Sequence, residues 1–391
     1  MAKSFDWKSS TDQRDIVHIV VQTLVEGRLA VLPTETAYHV VCSALQGEAV
    51  RQLNSLLLSN RVSSPSLLIR DPEETFDYSP GMSRIARRAA YRGWPGPLVL
   101  ELPVELNAEQ FEQFSGNVSL VHRLPEEAKS LLLSDGYLAQ RVVPHPVVAE
   151  AMTLTPGPLI AAPCVSGDNE SISNAVQAKQ ALDEHCTVIV DDGDTHFGGF
   201  AMRVRVSDST CDVKECGVIE PDMRDRLFEL IVLIVCTGNT CRSPMAEVLM
   251  KKRLAERFPD AFANQESQIH VSSAGLNAFP GGPASSEAQL VMDKCGLDLG
   301  KHQSRTVTEQ GLRQADLVLT MTNGHRNAIL NQFPDLESKV HLLSGGREDV
   351  SDPFGGTESV YAACAEQIDG FVEKWVERID DSWVPTWKKS S

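Results

Sequence analysis

No stretch of the 391-residue chain approaches the run of about 20 apolar residues that a membrane-spanning helix needs, so no such span is expected. The N-terminal residues MAKSFDWKSSTDQRD are polar and hold no apolar signal core. There is no Cys-x-x-Cys pair and no His/Cys cluster at zinc spacing, which argues against a zinc module. Cysteine comes in an odd number, nine, scattered from Cys42 to Cys364, a poor basis for a disulfide framework. These absences imply a reducing cytoplasm and no membrane partner. Basic residues are also in deficit, 36 Lys and Arg against 53 Asp and Glu, a formal net charge of −17. That argues against a general polyanion binder while leaving room for a local basic patch. Internal repeats and low-complexity segments are missing too.

What the chain does have is an ordinary globular composition, 42% hydrophobic and 23% charged. At roughly 150 residues per domain its length predicts two domains. In the first half, DIVHIVVQTLVEG has helical spacing and closes on Gly27, RLAVLP reads as a short strand stopped by Pro33, and PLVLELP and CTVIVDDGD read as further strands. PVVAEAMTLTPG and ISNAVQAKQALDEH read as helices. MSRIARRAAYRG, with Arg84, Arg87, Arg88 and Arg92, is a basic stretch that reads as a solvated helix face. This mixture predicts an α/β domain over 1–225. Around VIEPDMRDRLFE the texture turns polar, and a second domain is expected over 226–391. There strands (LIVLIV, IHVSSAG, ADLVLTMT, KVHLLS) alternate with helices (SPMAEVLMKKRLAERF, SSEAQLVMDKCG and a long final one). That alternation predicts a doubly wound parallel sheet.

The most informative segment is LIVLIVCTGNTCRSPMAE. Ligands of a doubly wound sheet gather at the carboxyl ends of its strands, and Cys236 stands at such an end. Ser243 and Pro244 mark a helix start, so Thr237, Gly238, Asn239, Thr240 and Cys241 form a loop over a helix N-terminus. Amide N–H groups and the helix dipole make that a seat for a phosphate. The same field favours the thiolate, the nucleophilic form of cysteine. Arg242 lies six positions after Cys236, so its guanidinium fork can return to the same centre and hold two phosphoryl oxygens. A leaving group needs a proton, and Asp352, followed by Pro353 and by Gly355-Gly356, is the carboxyl group on a turn-prone loop that can supply it. Two displacements through a phosphocysteine follow, with Asp352 later activating water, and no metal or cofactor is needed.

This segment resembles the phosphate loop of the low-molecular-weight protein tyrosine phosphatases. VSSAGLNAFPGGPAS, GLDLGKHQSRTVT, ADLVLTMTNGHR and DPFGG extend the resemblance over most of the second half. It implies that Cys236, Arg242 and Asp352 are catalytic and that Asn239 shapes the loop. It also implies that Ser243 hydrogen-bonds the Cys236 thiolate. Thr240 and Phe354 stand where arginine-directed members have threonine and phenylalanine, so phosphoarginine and phosphotyrosine both remain open as substrates. Cys241 either forms a protective disulfide with Cys236 under peroxide or packs beneath the loop. Arsenate reductases share the fold but use a close downstream cysteine pair, whereas Cys295 and Cys364 stand far apart.

In the first half, AVLPTETAYHV and RGWPGPLVLELP resemble the YrdC family, which includes threonylcarbamoyl-adenylate synthases and double-stranded-RNA-binding relatives. The departures fall on the site. The family's Lys-x-Arg is Ser59-Asn60-Arg61, its Ser-Ala-Asn is Ala162-Pro163-Cys164, and the glycine after the tyrosine is His39. The family's Ser-Thr pair is missing around Ala201-Met202. A degenerate YrdC-like module is therefore expected, with nucleotide or RNA binding through Thr34, Thr36, Tyr38 and Arg61 as the function it can retain. The sequence points first to a cysteine-dependent phosphatase acting on a phosphorylated protein. The alternative is a nucleotide- or RNA-binding protein related to tRNA threonylcarbamoylation.

Overall fold

A computed structural model describes residues 1–105, 119–262, 268–346 and 348–388. The chain forms two compact units, Met1–Leu227 together with the segment from Thr386, and Phe228–Pro385. The expected second domain ran from 226 to the end. Instead Thr386–Trp387 pairs in parallel with Thr210–Glu215 of the first unit, a pairing of two residues that leaves no periodicity to read. The polar stretch at the expected boundary is itself a helix, Pro221–Phe228.

The first unit is built on a mixed sheet. From one edge its strands run Lys3–Asp6, Val188–Asp191, Ala30–Pro33, Tyr38–Ser43, Leu159–Pro163 and Ser66–Leu68. Tyr137–Arg141, Leu98–Pro103, Met202–Ser207 and Thr210–Glu215 follow, with Thr386–Trp387 at the far edge. The sheet mixes parallel and antiparallel pairs: two parallel pairs at its first edge are followed by three antiparallel ones. The helix Gln13–Val25 buries Ile16, Val17, Val20 and Leu24 against the sheet and ends at Gly27, whose φ of +72° suits glycine. Lys3–Asp6 lies in the polar N-terminal stretch. An edge strand with exposed side chains carries no apolar alternation to reveal it. The basic helix Arg84–Gly93 is present, but Arg88 is buried, which corrects the expectation of a wholly solvated arginine face.

In the second unit four strands lie all parallel in the order Ile269–Gly275, Leu230–Cys236, Leu317–Thr320, Val340–Leu342. The central strand reads LIVLIVC because both faces are covered. Leu230, Val232 and Ile234 pack toward residues of the helices Arg242–Arg257, Ser286–Lys294 and Glu358–Arg378. Leu233 and Val235 pack toward Glu309–Gln314 and Asn323–Gln332. The chain winds to one side after its first strand and to the other after its third. The switch point therefore falls between Leu230–Cys236 and Leu317–Thr320, where strand ends open a crevice. Among the described residues no helix is long and apolar enough to cross a membrane.

Register brings Cys236 opposite Gly275. A Cβ added at Gly275 would meet the Thr237 carbonyl oxygen at 2.4 Å and the Asn239 nitrogen at 2.9 Å, and backbone cannot step aside as a side chain can. Gly275→Ala is expected to destabilise the second unit by about 1–3 kcal/mol through this overpacking. The effect would appear as an earlier urea midpoint, and an unshifted midpoint would mean that the loop yields at no cost.

Candidate active site

Cys236 ends the central strand and is 3% exposed. The chain then turns tightly, with Asn239 buried at φ +57°, and enters the helix Arg242–Arg257. Asparagine tolerates this left-handed conformation better than most residues, and its side chain makes it useful here. The Asn239 backbone N–H donates to Cys236 Sγ at 3.1 Å. Its side-chain Nδ2 donates to Ser243 Oγ and to Ser273 Oγ, each at 2.9 Å, and its Oδ1 accepts from the Arg305 N–H at 2.8 Å. Ser243 Oγ, having accepted that bond, has its one proton free for Cys236 Sγ 2.9 Å away. Ser273 passes its own proton to Glu247 Oε2 at 2.6 Å, and Glu247 is held by Lys251 at 2.5 Å. His302 Nε2 donates to the Asn239 carbonyl oxygen at 2.8 Å. Two hydrogen-bond donors thus converge on the sulfur from a fully connected buried network. Cys241, at the helix N-cap, makes no side-chain capping bond, so the first-turn N–H groups are not claimed by a side chain.

Arg242 is 6% exposed and donates through Nη2 to Asp352 Oδ2 at 2.5 Å and through Nη1 to the Val350 carbonyl at 3.3 Å. Asp352, half-exposed, also accepts the Phe354 N–H on Oδ1 at 3.2 Å, and the turn continues through Gly355 at φ +75°. The loop after the first strand and the loop carrying Asp352, far apart in sequence, therefore meet at one guanidinium. Phe354 is 81% exposed beside it.

The remaining loop residues divide by exposure. Thr237 is exposed, its Oγ1 2.8 Å from His325 Nε2, while Gly238 and Thr240 are half-buried. Cys241 is buried, with its sulfur 3.2 Å from Tyr361 Oη and 3.6 Å from Thr240 Oγ1. Burial, with the Cys241 bond adding to it, pushes the Tyr361 phenol up to about 12. Burial likewise raises the Cys364 thiol to about 11, so that thiol stays protonated near neutral pH. All six loop residues and the expected trio Cys236, Arg242 and Asp352 lie in one place. The sequence did not single out Ser273, Glu247, His302, Arg305, His325 or Tyr361: the first five lie in segments that carry the resemblance, but nothing in those segments says which side chain meets the loop.

In the first unit Thr34 and Thr36 face each other at 3.1 Å, and Arg141 Nη2 donates to Thr36 Oγ1 at 2.9 Å and to Glu35 Oε1 at 2.6 Å. Arg141 is 1% exposed and also meets His39 Nε2 at 3.3 Å. Burial, then the Arg141 charge, drives His39 down to about 3, so it is neutral. Tyr38 Oη donates to the Gly193 carbonyl at 2.8 Å and accepts the Asp192 N–H at 3.0 Å. Thr34, Thr36 and Tyr38 are thus committed to internal bonds. Arg61 donates to the Ala181 carbonyl at 3.1 Å, at the end of the helix Ala175–Leu182, and shares no described hydrogen bond with the other three. The four do not form one constellation, because Arg61 closes a helix C-terminus.

The family model described as low molecular weight phosphotyrosine protein phosphatase matches residues 231–384. A second, described as Telomere recombination and covering Sua5, YciO and YrdC proteins, matches residues 22–200. A protein-arginine-phosphatase of Geobacillus stearothermophilus is 34% identical over 152 residues, 38% of this chain and 95% of that protein. One of Bacillus subtilis is 36% identical over the same shares. A probable low molecular weight protein-tyrosine-phosphatase of Ralstonia nicotianae is 32% identical over 38% of this chain and 94% of its own length. A solved structure of the Geobacillus stearothermophilus arginine phosphatase YwlE superposes with a TM-score of 0.34 at 33% identity, over 38% of this chain and 92% of that one. Through residues 231–384 the chain belongs to the low molecular weight phosphotyrosine protein phosphatase family.

Proposed function

We propose that the second unit hydrolyses a phosphorylated protein side chain through a phosphocysteine. The observation that carries the proposal is the convergence of Cys236, Arg242 and Asp352 on one loop, with the sulfur receiving a backbone N–H at 3.1 Å. In the first step the Cys236 thiolate attacks phosphorus, an S–P bond forms and the P–O or P–N bond breaks. Asp352 gives its proton to the departing oxygen or nitrogen. In the second step water attacks phosphorus, Asp352 takes its proton, and the S–P bond breaks to release phosphate and the thiolate. Arg242 holds two phosphoryl oxygens throughout. That bidentate grip needs the Nη2 now bonded to Asp352, so substrate binding exchanges one carboxylate for another anion and frees Asp352 for the leaving group.

Phosphoarginine is the proposed substrate class, supported by Thr240 and Phe354 and by the names of two relatives. Phosphotyrosine is the competing class. Thr240 is half-buried beside the loop's mouth, and its hydroxyl can hydrogen-bond a guanidine nitrogen that a phenol lacks. For the first unit, nucleotide or RNA binding draws support from the family match alone, since Thr34, Thr36, Tyr38 and Arg61 are internally bonded. We assign it a scaffolding role.

Cys236→Ser should abolish turnover of both phosphoarginine and phosphotyrosine peptides, and Asp352→Asn should lower kcat by roughly 10²–10⁴-fold. A serine variant as active as wild type would end the proposal. Thr240→Ile should shift the ratio of kcat/KM values toward phosphotyrosine by about tenfold, the scale of one lost hydrogen bond. A ratio that does not move would remove Thr240 as the discriminator.

A further inference from the structure

His325 lies across the switch point from Cys236. It occupies the first turn of the helix Asn323–Gln332, which follows the third strand, and it is 8% exposed. Its ring reaches the phosphate loop through one contact, Nε2 to Thr237 Oγ1 at 2.8 Å. The other ring nitrogen, Nδ1, is buried without any partner. That orphan atom decides the tautomer. A proton on Nδ1 would be a buried donor with no acceptor, whereas a bare lone pair there is the cheaper omission. The proton therefore sits on Nε2, and His325 donates to Thr237.

The consequence falls on Thr237. A threonine hydroxyl has one proton, and a hydroxyl oxygen that accepts from an imidazole keeps that proton for another acceptor. Thr237 is exposed and stands in the phosphate loop immediately after Cys236. Were the imidazole the acceptor instead, Thr237 would commit its one proton to His325 and turn lone pairs toward an incoming anion.

Resting on the phosphatase proposal above, we infer that His325 is a positioning residue, which orients the Thr237 hydroxyl so that its proton is donated to an oxygen of the bound phosphoryl group. Burial and the nearby Arg242 charge lower the pKa of His325, opposed by Asp349 and Asp352. The ring is therefore neutral at neutral pH, as the chosen tautomer requires. The helix that carries it is tied to the loop of Asp352 as well, since Asp349 Oδ1 accepts from the Asn323 N–H at 2.7 Å and from its Nδ2 at 3.0 Å. The ring is thus held from the side of the acid loop while it holds the phosphate loop.

The test is direct binding of inorganic phosphate to the full chain, by calorimetry, for wild type, Thr237→Val, His325→Leu, His325→Gln and the Thr237→Val/His325→Leu double variant. Each single apolar variant should weaken phosphate about tenfold, the scale of one hydrogen bond to an anion. The double variant should be no weaker than either single. His325→Gln, whose amide nitrogen donates from nearly the position of Nε2, should recover most of the affinity, a rescue that mere core filling would not give. Multiplied losses in the double variant, or phosphate affinity in His325→Leu equal to wild type, would overturn the inference. The glutamine variant decides the matter if the leucine variant fails to fold. Turnover is scored separately: a wild type that binds phosphate as described yet hydrolyses no phosphorylated peptide sinks the phosphatase proposal and leaves the His325 result standing.

Discussion

The second unit depends on one residue forced into a left-handed turn. Asn239 closes the loop after the central strand with its backbone N–H on the sulfur of Cys236, and its amide then fastens the loop to three separate segments. Those segments are the helix start at Ser243, the second strand at Ser273 and the chain at Arg305. A residue at φ +57° carries a local cost that persists only where its surroundings over-determine it, and here every polar atom of the side chain is bonded. The close approach of Gly275 to Thr237 and Asn239 comes from the same constraint, since the loop must fold back against the neighbouring strand for the amide to reach Ser273. Glycine at one position and asparagine at the other are two halves of a single fit.

Much of this was legible in the sequence, and the reason is local. A strand buried on both faces announces itself as LIVLIV, and the loop's cysteine, arginine and helix-start residues follow within a dozen positions. The relation of Cys236 to Arg242 is therefore a property of one short segment. Asp352 is 110 residues from Arg242, and Asp-Pro followed by Gly-Gly is by itself an ordinary turn; its role is read from the proton that the phosphate loop's chemistry needs and from the resemblance of its loop. The roles of the supporting residues were not legible. Ser273, His302, His325 and Tyr361 arrive from four separate stretches of chain, three of them within segments that carry the resemblance, and which of their faces meets the loop is set by winding order and register rather than by neighbours in the chain.

The first unit shows the converse. Its motifs read clearly, yet the expected grouping of Thr34, Thr36, Tyr38 and Arg61 dissolves: Arg61 closes a helix C-terminus, and a buried cation that no sequence pattern marks takes up Thr36. Arg141, at the end of a strand, sits between Glu35, Thr36 and His39 and is 1% exposed. A buried charge survives only with partners, and these residues are its partners. His39, standing where the related family has glycine, is held neutral next to that charge. The bonds of Arg141 to Glu35 Oε1 and Thr36 hold an interior first, and a ligand drawing on them would have to displace bonds already made.

In the second unit the corresponding charge is arranged for exchange. Arg242 is nearly as buried as Arg141, but its anionic partner is at the surface: the Asp352 side chain is 54% exposed and the Glu35 side chain 12%. A carboxylate that water can reach gives up an ion pair at modest cost, whereas a buried pair broken on one side leaves an uncompensated charge. Asp352 is also followed by a glycine at positive φ and keeps a bond to the Phe354 N–H that can turn with its own loop. The two arginines thus use the same chemistry in opposite ways. Arg141 is sealed with its partners and holds a fold, while Arg242 faces a partner able to leave, which makes its guanidinium available to a phosphoryl group.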